Sequence, residues 1–92
     1  INESSKLARY VQGSILDEVN GNGGRSNDRG VRQAPFYVLI GARMPSILIE
    51  TSFITNKEDA RRLADKKFQM ALAESIADGV KRYSEVVTVA RR

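Results

Sequence analysis

Two short apolar runs in the middle of the chain constrain its fold most. Residues 36–40 read FYVLI and residues 46–50 read SILIE, with Pro45 directly before the second run. Both runs are rich in β-branched or aromatic residues, and their apolar positions are consecutive rather than alternating. That pattern is typical of strands covered on both faces, as in an α/β sheet. The sequence therefore predicts two short strands, the second starting after Pro45.

The sequence before these runs carries a helical pattern. Leu7, Val11, Ile15 and Val19 recur every four residues, which predicts an amphipathic helix over about 5–19, with Ser4 or Ser5 able to cap its start. A loop rich in glycine and asparagine, residues 20–30, should end this helix.

Two further helices are predicted after the apolar runs. Thr55 and Glu58 have the spacing of a capping box, which indicates a short helix over about 57–64. Asp65 can cap a second helix, in which Gly79 would allow close approach to a neighbour. The buried face of that second helix is predicted to carry Phe68, Leu72, Ile76, Val80 and Tyr83.

The order helix, strand, strand, helix, helix indicates the α/β class. Two strands make a thin sheet that is rarely stable alone, so we expect further strands in sequence outside this chain or in a partner.

Composition excludes several classes of protein. The 92 residues make one small domain, and a formal net charge of +4 is only mildly basic. Cysteine and histidine are both absent, which excludes disulfides and would leave a zinc site only carboxylates, which zinc rarely accepts. The longest apolar run has five residues, far below the ~18 needed to span a bilayer. No targeting segment is recognisable, and we expect the chain to be an internal part of something longer.

Glu50 is the first candidate for chemistry. It ends an apolar run, and α/β sheets place their ligand crevices beyond the carboxyl ends of strands. Partial desolvation there would suit a general acid or base. The alternatives are an ion pair with Arg43 or Arg29, or a cap on the turn that follows.

Three other features have a structural explanation as well as a functional one. The loop 20–32 could present amides and guanidiniums to an anion or a carbohydrate, but composition favours a solvated connector. The basic residues of 57–67 are interleaved with acids, which is typical of a solvated helix face. The aromatic residues lie mostly on predicted apolar faces and are interpreted as core.

Several short motifs occur together in an informative order. They are RGVR at 29–32, FYVL at 36–39, MPSILIE at 44–50 and FITN at 53–56, with SKLA at 5–8 and AESIA at 73–77 in the flanking helices. Over about residues 4–84 the chain resembles the C-terminal half of the zinc-dependent N-acetylmuramoyl-L-alanine amidases, the type 3 amidase family of bacterial cell-wall hydrolases.

The resemblance implies a fold, a reaction and a site. It implies that residues 1–92 are the C-terminal part of a single amidase catalytic domain, a portion of an α/β sheet covered by helices on both faces. It implies hydrolysis of the amide between N-acetylmuramic acid and the L-alanine of the stem peptide. The family's catalytic glutamate falls on Glu50, which would accept a proton from zinc-bound water and pass it to the leaving amine.

The resemblance also implies partners that this chain lacks. The zinc ligands, two histidines and a glutamate, would lie in a missing N-terminal half, so the 92 residues alone should bind no metal and be inactive. Peptidoglycan is the expected substrate, in the periplasm or outside the cell, and an activator protein is an open possibility. Arg29 and Asn27 are candidate substrate contacts, and Ser52 stands where relatives often carry glycine.

One alternative of another class stays open. The Arg/Gly/Asn-rich loop could belong to a non-catalytic module that binds an anionic polymer, either cell-wall glycopeptide or, less expected, nucleic acid. A third interpretation is an inert scaffold or regulatory half.

Overall fold

Helices dominate the computed structural model, which describes residues 3–21, 30–33, 37–50 and 57–90. Helix α1 spans Glu3–Gly21, a single 3-10 turn spans Tyr37–Leu39, α2 spans Lys57–Ala64 and α3 spans Lys66–Ala90. The two long helices α1 and α3 pack against each other, and the short α2 packs on α3.

The α1–α3 interface holds the core of the described residues. Leu7 and Val11 are buried there, and Val11 is only 2% exposed. They lie one turn apart on α1, as the four-residue spacing predicts. The half-buried positions on the predicted apolar stripes are Ile15, Leu16, Phe68, Leu72, Ile76 and Tyr83.

A glycine sets the distance between the two helices. A Cβ added to Gly79 would lie 2.6 Å from the Cα of Val11 and 3.0 Å from the carbonyl oxygen of Tyr10. No side chain fits at such a distance from backbone, so the close approach predicted for Gly79 is confirmed. Next to this crossing the buried Ser14 hydroxyl donates a 2.6 Å hydrogen bond to the carbonyl oxygen of Ser75.

The predicted helices are confirmed, with small differences at their starts. The bounds of α2 match the prediction. Asp65 caps the start of α3, because its side chain accepts a 2.9 Å hydrogen bond from the backbone N–H of Lys67. Helix α1 begins at Glu3, so Ser4 and Ser5 lie inside its first turn rather than at its cap. Thr55 lies outside the described residues, as does the side chain of Glu58, so the capping box stays a prediction.

The predicted α/β class is wrong for the structure as described. No β-strand occurs within 37–40 or 46–50, the described parts of the two predicted strands. Residues 37–42 form local turns instead, since the N–H of Ile40 bonds to the carbonyl of Tyr37 at 3.1 Å and that of Ala42 to Leu39 at 3.3 Å. A strand exists only through hydrogen bonds to a neighbouring strand. With no such neighbour among the described residues, the first run satisfies its backbone locally and the second adopts no regular structure.

Several apolar side chains expected in the core are exposed. Tyr37 is 89% exposed, Val38 73% and Ile40 69%, so the interpretation of Tyr37 as a core aromatic is wrong. Val80, expected on the buried face of α3, is also exposed. Phe36 and Phe53 lie outside the described residues.

None of the helices in the described part of the chain is both long enough and apolar enough to cross a membrane.

Candidate functional site

Glu50 lies at the end of the segment 45–50, where its side chain is exposed to solvent. Burial alternates along this segment: Ile47 and Ile49 are half-buried, whereas Leu48 and Glu50 are exposed. The alternation puts Glu50 on the outward side, although the consecutive apolar pattern had predicted cover on both sides. Its carboxylate is thus accessible to a ligand.

Two side chains of α1 anchor the segments that lead to Glu50. The hydroxyl of Ser4 accepts a 3.0 Å hydrogen bond from the backbone N–H of Ser46, and the hydroxyl of Ser5 accepts one of 2.9 Å from Gln33 Nε2. Gly41, with a φ of 90°, makes the turn between them in a conformation that L-residues rarely adopt. The first turn of α1 therefore fixes the start of the 45–50 segment.

The ion pair considered for Glu50 with Arg43 is not formed. Among the described residues no side chain makes an ion pair or hydrogen bond with the Glu50 carboxylate. Arg29, Thr51 and Ser52, the other candidates to hold it, lie outside the described ranges.

Asn27 and Arg29, the candidate substrate contacts, also lie outside the described residues. Their roles therefore stay predictions.

The described residues of this chain do not offer the set of donors that zinc requires. Zinc sites in proteins use cysteine, histidine and carboxylate ligands in tetrahedral sets. The chain contains neither cysteine nor histidine. Within the described ranges, no three acidic side chains are grouped so that they could hold a metal ion. The residues present thus do not fit a zinc centre.

A polar cluster that sequence reasoning missed joins the start of α1 to α3. The Tyr83 hydroxyl donates a 2.8 Å hydrogen bond to Glu3 Oε1, and Lys6 Nζ lies 3.1 Å from Glu3 Oε2. The hydrogen bond from Tyr83, followed by the contact with Lys6, holds the pKa of Glu3 below its ordinary value. The ring of Tyr83 meets Tyr10 edge to face, with centroids 6.4 Å apart.

Only part of this cluster has a signal in the sequence. The i, i+3 spacing of Glu3 and Lys6 is visible on a helix. Tyr83 is 80 residues away and was assigned to the core, so nothing in the pattern connects its hydroxyl to Glu3. The basic residues described in α2 and at the start of α3 are exposed or half-exposed, as expected of a solvated face.

Comparison with known proteins identifies the family. The sequence profile of Amidase_3, described as N-acetylmuramoyl-L-alanine amidase, matches residues 1–82. The chain is 38% identical over 80 residues to the N-acetylmuramoyl-L-alanine amidase LytC of Bacillus subtilis, a match that covers 87% of this chain. It is 49% identical over 63 residues, 67% of this chain, to the N-acetylmuramoyl-L-alanine amidase AmiC of Escherichia coli O6:H1.

These relatives are longer than the chain. The match covers 15% of LytC and 15% of AmiC. A Bacillus subtilis protein, YqiI, is 35% identical over 80 residues, and 36% of its length is covered. No solved structure matches the chain. Because the family profile extends over most of the sequence, this chain belongs to the N-acetylmuramoyl-L-alanine amidase family.

Proposed function

We propose that this chain is part of an enzyme that hydrolyses the amide between N-acetylmuramic acid and the L-alanine of the peptidoglycan stem peptide. The observation that carries the proposal is the family match over residues 1–82. Relatives from both Bacillus and Escherichia are named for that bond. Peptidoglycan lies outside the cytoplasmic membrane, so the site of action is the periplasm or the cell exterior.

Glu50 is the residue of this chain that we assign to proton transfer. Its support is twofold: the resemblance of the MPSILIE motif at 44–50 to the family implies that the catalytic glutamate is Glu50, and its carboxylate is exposed and held by no described side chain. An accessible carboxylate can take a proton from the water that attacks the amide carbonyl and deliver it to the departing amine. Such assistance contributes about 100- to 10,000-fold to the rate.

The rest of the catalytic domain belongs, in this proposal, to sequence outside the chain. The chain covers only 15–36% of the relatives compared, and Tyr37, Val38 and Ile40 leave apolar surface open that a completed domain would cover. Since the donors that zinc needs are missing here, any zinc ligands belong to that further sequence. Asn27 and Arg29 as substrate contacts, and an activator protein as partner, remain proposals.

The test is digestion of purified sacculi by the complete protein, followed by mass spectrometry of the soluble products. We expect stem peptides with a free L-alanine amine and glycan strands whose muramic acid carries no peptide. Cleavage only at other bonds would contradict the proposal.

Binding to sacculi without release of peptide would also contradict it and would favour the non-catalytic alternative. A module that grips an anionic polymer through basic residues should lose affinity steeply as salt rises. The two functions are thus separated by product analysis and by the salt dependence of binding.

A further inference from the structure

A cleft of about 620 Å³ lies between the first half of α1, the C-terminal half of α3 and residues 42–45. Its apolar lining includes Tyr10, Met44, Pro45, Val86 and Val87. Met44 is 67% exposed and Val86 47% exposed, so these side chains offer apolar surface that no described residue covers. Glu50 is not part of the lining, and the cleft is therefore separate from the candidate catalytic group.

Of the charged side chains that line the cleft, Arg43 is the one that pairs with no described residue. The Glu3 carboxylate is engaged on one oxygen by Lys6 at 3.1 Å and on the other by the Tyr83 hydroxyl at 2.8 Å. Arg43, which also lines the cleft, is exposed and has no ion pair or hydrogen bond with any described residue. With Glu3 and Lys6 offsetting each other, the net charge of the lining is that of the Arg43 guanidinium.

Shape and charge together define the class of ligand. Pockets that bind small molecules usually have volumes of about 300–1,000 Å³, mostly apolar walls and a few polar groups that fix orientation. An unpaired guanidinium at such a wall favours an anion, because its fixed N–H donors match a carboxylate or sulfonate in bidentate fashion. Methionine adapts its shape to varied apolar partners, which suits a flexible chain.

We propose that this cleft binds a small amphipathic anion, with its apolar body against Met44, Pro45 and Val86 and its anionic head at Arg43. The site would link residues 42–45, which precede the Glu50 segment, to both long helices. The proposal does not depend on the proposed hydrolase function, since it uses no residue assigned to that reaction.

The first test compares three ligands that share a ten-carbon chain and differ only in the head group. Decanoate, decanol and decyltrimethylammonium are titrated into the complete protein by calorimetry at concentrations below micelle formation. We expect decanoate to bind at least about tenfold more tightly than the cation, with the neutral alcohol between them. Equal or tighter binding of the cation, or no binding of decanoate, would overturn the proposal.

The second test locates the site with paired variants. Arg43→Gln should weaken decanoate binding by about 3- to 10-fold and leave decanol binding unchanged, because only the head group loses a partner. Arg61→Gln removes an exposed arginine of α2, outside the lining, and should change neither affinity. Equal losses in the two variants would show that net charge, rather than this cleft, attracts the anion.

A further pair tests the apolar wall on one helix. Val86→Asp places a carboxylate on the lining and should reduce decanoate affinity at least about tenfold by repulsion and desolvation. Val89→Asp adds the same charge three residues away, where Val89 is 70% exposed and outside the lining, and should have a much smaller effect. Circular dichroism checks that each variant keeps its helices. Equal effects at 86 and 89 would contradict the assignment. Val38→Asp is a further control, because Val38 lies with Tyr37 and Ile40 on exposed apolar surface outside the cleft. An equal loss of affinity in this variant would also contradict the assignment.

Discussion

Gly79 is the residue that determines how closely α1 and α3 pack. Backbone atoms of Tyr10 and Val11 occupy the space that a side chain at position 79 would need, and backbone cannot move aside as the end of a flexible side chain can. The neighbouring hydrogen bond from Ser14 to Ser75 is formed in the same buried region. The interface therefore depends on small residues rather than on a large apolar core.

Gly79→Ala is expected to lower the free energy of unfolding by up to about 2 kcal/mol. Overpacking against backbone costs about 1–3 kcal/mol, and replacing glycine by alanine inside a helix offsets about 1 kcal/mol of that. Gly13→Ala is the matched control, because a Cβ at Gly13 meets no atom within 4 Å. It should stabilise the chain by up to about 1 kcal/mol. Urea unfolding followed by circular dichroism measures both, and a stabilising Gly79→Ala would contradict the packing described.

The structural role of a residue could be predicted from the sequence where that role is local or steric. The spacing of Leu7 and Val11 identified the buried face of α1, and Gly79 was recognised as a contact point, because both follow from helical periodicity. The hydrogen bond between Tyr83 and Glu3 was not predictable, since the two residues are 80 positions apart and their contact depends on how α1 and α3 are oriented. The exposure of Glu50 was not predicted. The consecutive apolar residues before it indicated burial on both faces, whereas the structure shows burial that alternates from residue to residue.

At the scale of elements, the polar cluster of Glu3, Lys6 and Tyr83 couples the first turn of α1 to α3. Because the Tyr83 hydrogen bond and then Lys6 hold the pKa of Glu3 below its ordinary value of 4.5, folding favours the ionised carboxylate. The stabilisation is present above the unfolded-state pKa and is lost as pH falls through the lower folded-state pKa.

Tyr83→Phe should reveal this coupling as a pH-dependent change in Tm. The variant removes the hydroxyl and keeps the ring that meets Tyr10. At about pH 6 its Tm should be lower than that of the unchanged chain, and the difference should shrink as pH falls from about 5 to about 3. Tyr37→Phe, at an exposed position, is the control and should alter Tm at neither pH. A difference that persists undiminished at pH 3 would contradict the role of the carboxylate.

Helices and strands differed in how well the sequence predicted them. The three predicted helices all formed, although α1 is two residues longer at each end than predicted, because a helix makes its backbone hydrogen bonds within itself. The runs 36–40 and 46–50 have strand-like composition, but a strand needs a partner that no described residue provides. Their conformation is therefore decided outside the local sequence, and local turns replaced the predicted strands.

At the scale of the whole molecule, little apolar surface is removed from solvent. Leu7 and Val11 are the buried apolar side chains among the described residues. Burial, which supplies most of the stability of a folded domain, is correspondingly small.

The isolated chain should consequently unfold with low cooperativity. We expect a broad thermal transition by calorimetry and a urea m-value below that of a compact domain of equal length, because m increases with the surface exposed on unfolding. A sharp, reversible transition with a normal m-value would contradict the proposal that further sequence completes the domain.

The assignment of Glu50 is tested most directly by Glu50→Gln in the complete protein. The variant keeps the size of the side chain and removes its ability to accept a proton, so release of stem peptide from sacculi should fall by about 100-fold or more. Glu85→Gln, an exposed glutamate of α3, is the matched control and should retain full release. Near-normal release by Glu50→Gln, with intact folding, would contradict the account.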